Sequence, residues 1–336
     1  MHPARFQEKL DANVVRCLAC HQKCLIEPDN RGICGVRKNI DGELFSVVYG
    51  LGSSLNPDPI EKKPLYHFLP GTISISLGAY GCNFSCTFCQ NHDLSQSAKI
   101  GLKNLYTGDL PPEKIVKQAE KLKCKSISYT YSEPTTWAEY TLDTIKLARE
   151  KGIKAVYVSN GYQSKELRDE LAPVLDAINI DLKSFSDDFY KTYCGGRLKP
   201  VLDNIASFHE AGVHVEVTTL IIPGLNDSID ELRQIARFLH DIDEKLPWHI
   251  SRFFPMYRMN DRPPTPFETL EMAYEIGRDE NLKYVYLGNV QDIERSSTFC
   301  PNCGEIIIKR TGYIVETYYS EDLKCPGCGA LQDLHV

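Results

Sequence analysis

The sequence predicts an α/β protein built on a parallel sheet, with a small cysteine-rich module at each end. Three observations carry that prediction. Short apolar segments alternate with helical stretches from residue 73 to residue 288, which is the rhythm of parallel β-α units. All but two of the 13 cysteines fall into three clusters at metal-ligand spacing. The stretch 51–72 is rich in Pro and Gly and reads as a linker between the first module and the α/β domain.

Residues 1–50 form the N-terminal module, which carries Cys17, Cys20, Cys24 and Cys34. A hairpin is predicted there, turning at Asp41-Gly42 with a return strand from Glu43 to Val48. The α/β domain spans 73–298. Its predicted strands are 73–77, 126–131, 155–159, 177–182, 213–222, 249–254 and 284–288. AVYVS at 155–159 is a continuous apolar run of the kind buried in parallel sheets. The pair Thr136 and Glu139 reads as a capping box, opening a helix whose buried face is Ala138, Leu142, Ile145 and Ala148 and which ends at Gly152. An open doubly wound sheet and a full or partial barrel both fit this order. Residues 299–336 form a third unit, with strands 305–310 and 313–317 joined at Thr311-Gly312 and a cysteine pair on each side.

The 336 residues are 42% hydrophobic and 25% charged, ordinary for a folded globular chain. A net charge of -7 gives no basic field to attract nucleic acid. There is no apolar run long enough to span a bilayer and no apolar core in MHPARFQEKLDAN of the kind a secretory signal needs. A cytoplasmic location with no membrane partner is therefore expected. Thiols in that compartment favour metal over disulfides. The isolated Cys124 and Cys194 read as small buried hydrophobes.

Cys82, Cys86 and Cys89 fall within eight residues in GAYGCNFSCTFCQN. One loop can wrap a [4Fe–4S] cluster at that spacing, but such a cluster normally takes four cysteines. With no fourth nearby in sequence, one iron lacks a protein ligand, and an open position marks a reactive metal site. Zinc completed by His92 is an alternative, and a ferredoxin would show closer spacing with a remote fourth cysteine. The loop follows the first strand of the α/β domain. Further along, Glu133, Asn160-Gly161, Asp181, Lys183 and Pro223-Gly224 each follow a predicted strand. Polar turns at successive C-terminal strand ends would face one pocket. Taken singly, each of these residues also reads as a helix cap or a surface ion pair. His249 and Arg252, on the strand HISRFF, can face either that pocket or the outer helices; Tyr257 and Arg258 are weaker candidates.

CNFSCTFC resembles the CxxxCxxC signature of the radical S-adenosylmethionine (SAM) superfamily, with Phe88 at the usually aromatic position before the last cysteine. RGICGVRKN, DPIEKKPLYHFLPG, YSEPT, SNGY, INIDLK, PGLND and PWHISRFFPMYRM extend the resemblance to the AmmeMemoRadiSam-system radical SAM enzymes, relatives of pyruvate formate-lyase activating enzyme. The resemblance implies a partial TIM-like (β/α)6 barrel. It also implies an oxidoreductase in which a [4Fe–4S] cluster on Cys82, Cys86 and Cys89 cleaves SAM reductively to a 5′-deoxyadenosyl radical that takes hydrogen from a substrate. It makes Phe88, Glu133, Asn160, Asp181 and Lys183 SAM-contacting residues. The carboxylate of Glu133 suits the SAM ammonium. YSEP keeps only the Glu133-Pro134 half of the activating-enzyme motif. Asn160 suits a carboxylate or ribose, and Val158 stands where those enzymes often carry Asp. Asp181-Leu182-Lys183 resembles their Asp-x-Lys, whose Lys meets the SAM carboxylate.

Cys300, Cys303, Cys325 and Cys328 read as paired knuckles of a zinc ribbon, with a single iron as the rarer alternative. Cys17, Cys20, Cys24 and Cys34 suit zinc or a second iron–sulfur cluster, and His21 is a possible substitute ligand. The implied partners are SAM, a one-electron donor such as a ferredoxin or flavodoxin, and a polypeptide or other bulky substrate or a Memo-like protein. Two other classes compete: a zinc-binding interaction module and an iron–sulfur electron-transfer protein.

Overall fold

The computed structural model describes residues 1–101 and 108–336. At its centre is a sheet of eight strands: β1 (Ser54–Pro59), β2 (Ile73–Gly78), β3 (Ser126–Tyr129), β4 (Lys154–Ser159), β5 (Ala177–Asp181), β6 (His214–Ile221), β7 (Trp248–Arg252) and β8 (Val285–Gly288). Neighbours in space are neighbours in sequence, and β1 and β8 are not paired with each other. From β2 to β8 every pairing is parallel; β1 lies antiparallel on β2. The parallel strands thus number seven, one beyond the six of the expected barrel. The helices α1 (Pro112–Lys121), α2 (Ala138–Glu150), α3 (Lys165–Leu171), α4 (Leu198–Glu210), α5 (Ile229–Ile242) and α6 (Phe267–Asp279) connect them. A single cavity is lined by residues following β2, β3 and β4 and by residues of β5, β6 and β7. The sheet is therefore curled around its C-terminal mouth as an incomplete barrel.

The segment 51–72, read as a linker, is part of the barrel. Residues 54–59 form β1, pairing in register from Ser54 with Gly78 to Pro59 with Ile73. Residues 60–69 then plug the interior. Ile60, Leu65, Phe68 and Leu69 are buried with Val156 and Ala177. The plug's backbone is satisfied by inward polar side chains: the Tyr66 and His67 N–H groups donate to the Glu216 carboxylate at 2.8–3.0 Å. The Asn179 amide donates to the Pro64 carbonyl at 2.7 Å. A polar barrel interior is tolerable because these pairings leave few buried groups unmet.

The start of α2 also differs from expectation. Pro134 opens a 3-10 turn over Pro134–Trp137, capped by the Glu133 carboxylate, which accepts from the Thr135 N–H at 3.0 Å. Thr136 thus lies inside helical structure and donates its hydroxyl to the Glu133 carbonyl. Glu139 makes no capping box. Its carboxylate instead takes a bidentate pair from the buried Arg37 guanidinium, at 2.7 and 3.1 Å, and fixes the N-terminal module against the barrel.

In that module Ile40 pairs with Glu43, so the two-residue turn is Asp41-Gly42 as expected, with both φ angles positive. In the C-terminal module Thr311 pairs with Ile314. Its turn is therefore Gly312-Tyr313, one residue later than expected, because Gly312 takes the positive φ. This module is stapled to the plug and the barrel. Arg310 donates to the Tyr66 carbonyl at 2.6 Å, and the His67 ring bridges the Asp333 carbonyl (2.7 Å) and the Tyr286 hydroxyl (2.6 Å).

Candidate active site

The triplet loop leaves β2 and lies at the barrel mouth. Gly81 allows it to enter at φ +104; a β-carbon there would lie 2.7 Å from Val36. Cys82 accepts from the Phe84 N–H at 3.3 Å, and Cys89 lies 3.2 Å from the Ser95 hydroxyl. Cys86 is buried against Cys194, whose hydrogen bond, followed by burial, raises the Cys86 thiol well above its ordinary pKa. Burial is the main cause that raises Cys82 and Cys89. Bare thiols are thus unfavourable as thiolates here, and metal ligation is what would deprotonate them. The Lys99 ammonium donates to the Phe84 carbonyl at 2.6 Å and lies 3.1 Å from the Ser85 hydroxyl, both within the triplet loop.

Glu133 and Asn160 sit at neighbouring strand ends. The Glu133 carboxylate is buried. One oxygen accepts from the Thr135 N–H (3.0 Å) and hydroxyl (2.5 Å) and from the Ser159 hydroxyl (2.9 Å); the other accepts from the Asn160 N–H (2.8 Å). Burial raises its pKa, opposed by these donors. The second oxygen keeps a lone pair for a further donor. Asn160 donates its amide to Asn83 at 2.7 Å and reaches the Cys82 sulfur at 3.8 Å. The ammonium of Lys183 pairs with Asp181 at 2.9 Å and lies 5.9 Å from the Phe88 ring centre. Burial lowers the Lys183 pKa, but Asp181 and the Cys86 and Cys194 thiols raise it well above the usual value.

All three triplet cysteines, Phe88, Glu133, Asn160, Asp181 and Lys183 line one cavity of about 320 Å³. Val158 lines it too. Pro223-Gly224 does not; Arg262 covers it by donating to the Pro223 carbonyl. His92 stacks on Tyr257. His249 is buried and bonded to Glu216 at 2.6 Å. Arg252 donates to the Thr265 carbonyl at 2.8 Å and lines a second cavity.

That second cavity, of about 1030 Å³, adjoins the first, and Lys62, Pro64, Thr218, Ser251 and Asn289 line both. Tyr66, His249 and Arg252 form one side. Thr311, Gly312 and Tyr313, the hairpin tip of the C-terminal module, form another. Sequence reasoning missed Lys62, Cys194 and this tip. DPIEKKP held the first; only the two glycines after Cys194, where a close packing turn is made, hinted at the second.

Among the described residues one group of three or more candidate ligands lies within 4.8 Å of one another: Cys300, Cys303, Cys325 and Cys328. Its Sγ–Sγ separations of 3.6 and 3.7 Å match the edge of a tetrahedron with metal–sulfur bonds of about 2.3 Å. His21 and His92 join no such group.

The triplet loop also fits an iron–sulfur cluster. Besides three sulfurs, it holds two buried polar atoms, Asn83 Nδ2 and Thr87 Oγ1, with no partner. No helix among the described residues is long and apolar enough to cross a membrane.

The arrangement of a strand-end cysteine triplet above an α/β barrel defines a class, and the comparisons with known proteins agree. The Radical SAM superfamily profile matches residues 77–239. The uncharacterized protein MJ0808 of Methanocaldococcus jannaschii is 46% identical over 99% of both chains. The putative glycyl-radical enzyme activating enzyme MJ1632 of the same organism is 32% identical over 64% of this chain and 79% of its own length. A radical SAM methyltransferase structure from Sphaerobacter thermophilus shares the fold, with a TM-score of 0.51, 18% identity and 71% of each chain covered. The chain belongs to the radical SAM superfamily. Membership implies an enzyme of SAM-dependent radical chemistry using a [4Fe–4S] cluster.

Proposed function

We propose that the protein is an oxidoreductase of the activating-enzyme type within the AmmeMemoRadiSam group, acting on a polypeptide or another bulky substrate. The observation that carries this is the single cavity bounded by the three cysteines, Glu133, Asn160, Asp181 and Lys183. Cys82, Cys86 and Cys89 hold the [4Fe–4S] cluster by three of its irons. The bound cluster supplies one electron to SAM, yielding methionine and a 5′-deoxyadenosyl radical that abstracts hydrogen from the substrate.

The chain's own residues bind and orient. The free lone pair of Glu133 receives the SAM ammonium. Asn160 fixes Glu133 through its backbone and Cys82 through its amide, so the amino acid end of SAM and the cluster keep one register. Lys183, held by Asp181, meets the SAM carboxylate, and Phe88 walls the site from water. The substrate occupies the second cavity, whose size and position beside the first support a bulky group. The ribbon hairpin closes one side of it, which gives the C-terminal module a part in substrate binding beside holding one zinc. The one-electron donor is a ferredoxin- or flavodoxin-like protein, a Memo-like protein is a candidate partner, and the enzyme works in the cytoplasm. The test is anaerobic reconstitution with iron and sulfide, addition of SAM and dithionite, and measurement of 5′-deoxyadenosine; its absence from cluster-replete protein refutes the proposal.

A further inference from the structure

We propose that Cys17, Cys20, Cys24 and Cys34 hold an iron–sulfur cluster, not zinc, and that this cluster is the electron port for the neighbouring triplet site. The second half rests on the radical SAM reading of that site.

Spacing separates the two metals. Four thiolates on one zinc lie about 3.8 Å apart, the tetrahedral edge for bonds of about 2.3 Å. The C-terminal set has that spacing. In the N-terminal set Cys17, Cys20 and Cys34 are buried in one core with Cys24 packed against it. Yet no three of its sulfurs lie within 4.8 Å of one another. A cluster binds each cysteine at a different iron and so spreads its sulfurs wider. The triplet Cys82, Cys86 and Cys89 has the same looser gathering.

The two cysteine sets share a wall. A β-carbon on Gly81, the residue before Cys82, would lie 3.1 Å from the Cys34 carbonyl oxygen. Gly35 packs as closely on the backbone of Ala98 and Lys99, and the Lys99 ammonium donates to the Phe84 carbonyl within the triplet loop. Cys17, Cys20 and Cys34 are buried, while Cys24 is partly open beside Leu25, which is 63% exposed. A low-potential one-electron donor protein gives one electron to the N-terminal cluster at Cys24. The cluster passes it to the triplet cluster, and no bond forms or breaks.

The experiment uses the full chain carrying Cys82→Ala, Cys86→Ala and Cys89→Ala, reconstituted anaerobically with iron, sulfide and zinc. About four irons should remain with about one zinc, together with a reducible signal in electron paramagnetic resonance. About two zincs and no iron would overturn the proposal. Should that variant not fold, the unaltered chain decides: about eight irons and one zinc support it, about four irons and two zincs overturn it. For the port, Cys20→Ser with Cys24→Ser should leave the triplet cluster reducible by dithionite. Its reduction by a ferredoxin or flavodoxin, followed spectroscopically, should slow at least tenfold; an unchanged rate overturns that role. Iron held by the triple variant while the unaltered chain cleaves no SAM would instead refute the proposed function and leave the N-terminal cluster standing.

Discussion

Glu133 and Asn160 are joined by a 2.8 Å hydrogen bond from the Asn160 N–H to the Glu133 carboxylate, and the Asn160 amide in turn reaches Cys82. Two strand ends and a cluster-loop cysteine are thus locked together before any ligand binds. The carboxylate is committed on one oxygen and available on the other.

Replacing Glu133 with Gln therefore has two effects. The lost charge-assisted bond to the SAM ammonium should cost about 1.5–3 kcal/mol, roughly a 10- to 100-fold loss of affinity. The Gln amide would also turn a donor toward the N–H of Asn160 or Thr135, lowering stability by about 1–3 kcal/mol. Calorimetric titration with SAM of cluster-replete protein checks the first effect, and denaturant unfolding the second. Unchanged SAM affinity would remove Glu133 from the site.

Cys194 lies against the triplet loop, its carbonyl accepting from the Ser85 N–H at 2.7 Å, so it tests whether the cluster has three protein ligands or four. Cys194→Ser should keep its iron and cleave SAM at a rate within a few-fold of the unaltered chain. Loss of the cluster in a folded Cys194→Ser protein would make Cys194 a ligand and close the open iron.

Much of this was legible in the sequence because the determinants are local. The seven parallel strands are short apolar runs, and their polar ends fall where chemistry-bearing side chains converge. What stayed hidden depends on distant partners. SLNPDP does not alternate like a strand. As an antiparallel edge, β1 tolerates prolines whose missing N–H would point outward. The plug looks like a loop because its backbone is satisfied by Glu216 and Asn179 more than a hundred residues away. Thr136 and Glu139 matched a capping box by spacing, but Pro134 started the helical turn earlier and Arg37 claimed the Glu139 carboxylate. The second cavity was invisible since one of its walls comes from the C-terminal hairpin.

The plug predicts a pH dependence. Burial pushes the His67 imidazole down from 6.5 to about 4. A carbonyl can only accept, so Nδ1 donates to Asp333 and Nε2 accepts from Tyr286; the ring is neutral. The unfolded chain takes up a proton near pH 6.5 that the folded one refuses until about 4. Stability is therefore full above 6.5 and falls by about 1.4 kcal/mol per pH unit below it. Unfolding by urea at pH 7 and 5 should show about 2 kcal/mol of loss from this residue, absent in His67→Gln. An equal loss in that variant would contradict the assignment.

The ribbon tip offers a separate test. Tyr313→Ala should leave SAM cleavage without substrate unchanged while reducing deuterium transfer from uniformly deuterated cell extract into 5′-deoxyadenosine by about tenfold. Cys303→Ser should release about one zinc. Undiminished deuterium transfer in Tyr313→Ala would remove the hairpin from the substrate site.

The most direct measurement of the central claim is 5′-deoxyadenosine formed by Cys86→Ala under anaerobic reduction with dithionite. None is expected above background, with the metal of Cys300, Cys303, Cys325 and Cys328 still bound; product at the level of the unaltered chain would overturn the assignment of the triplet.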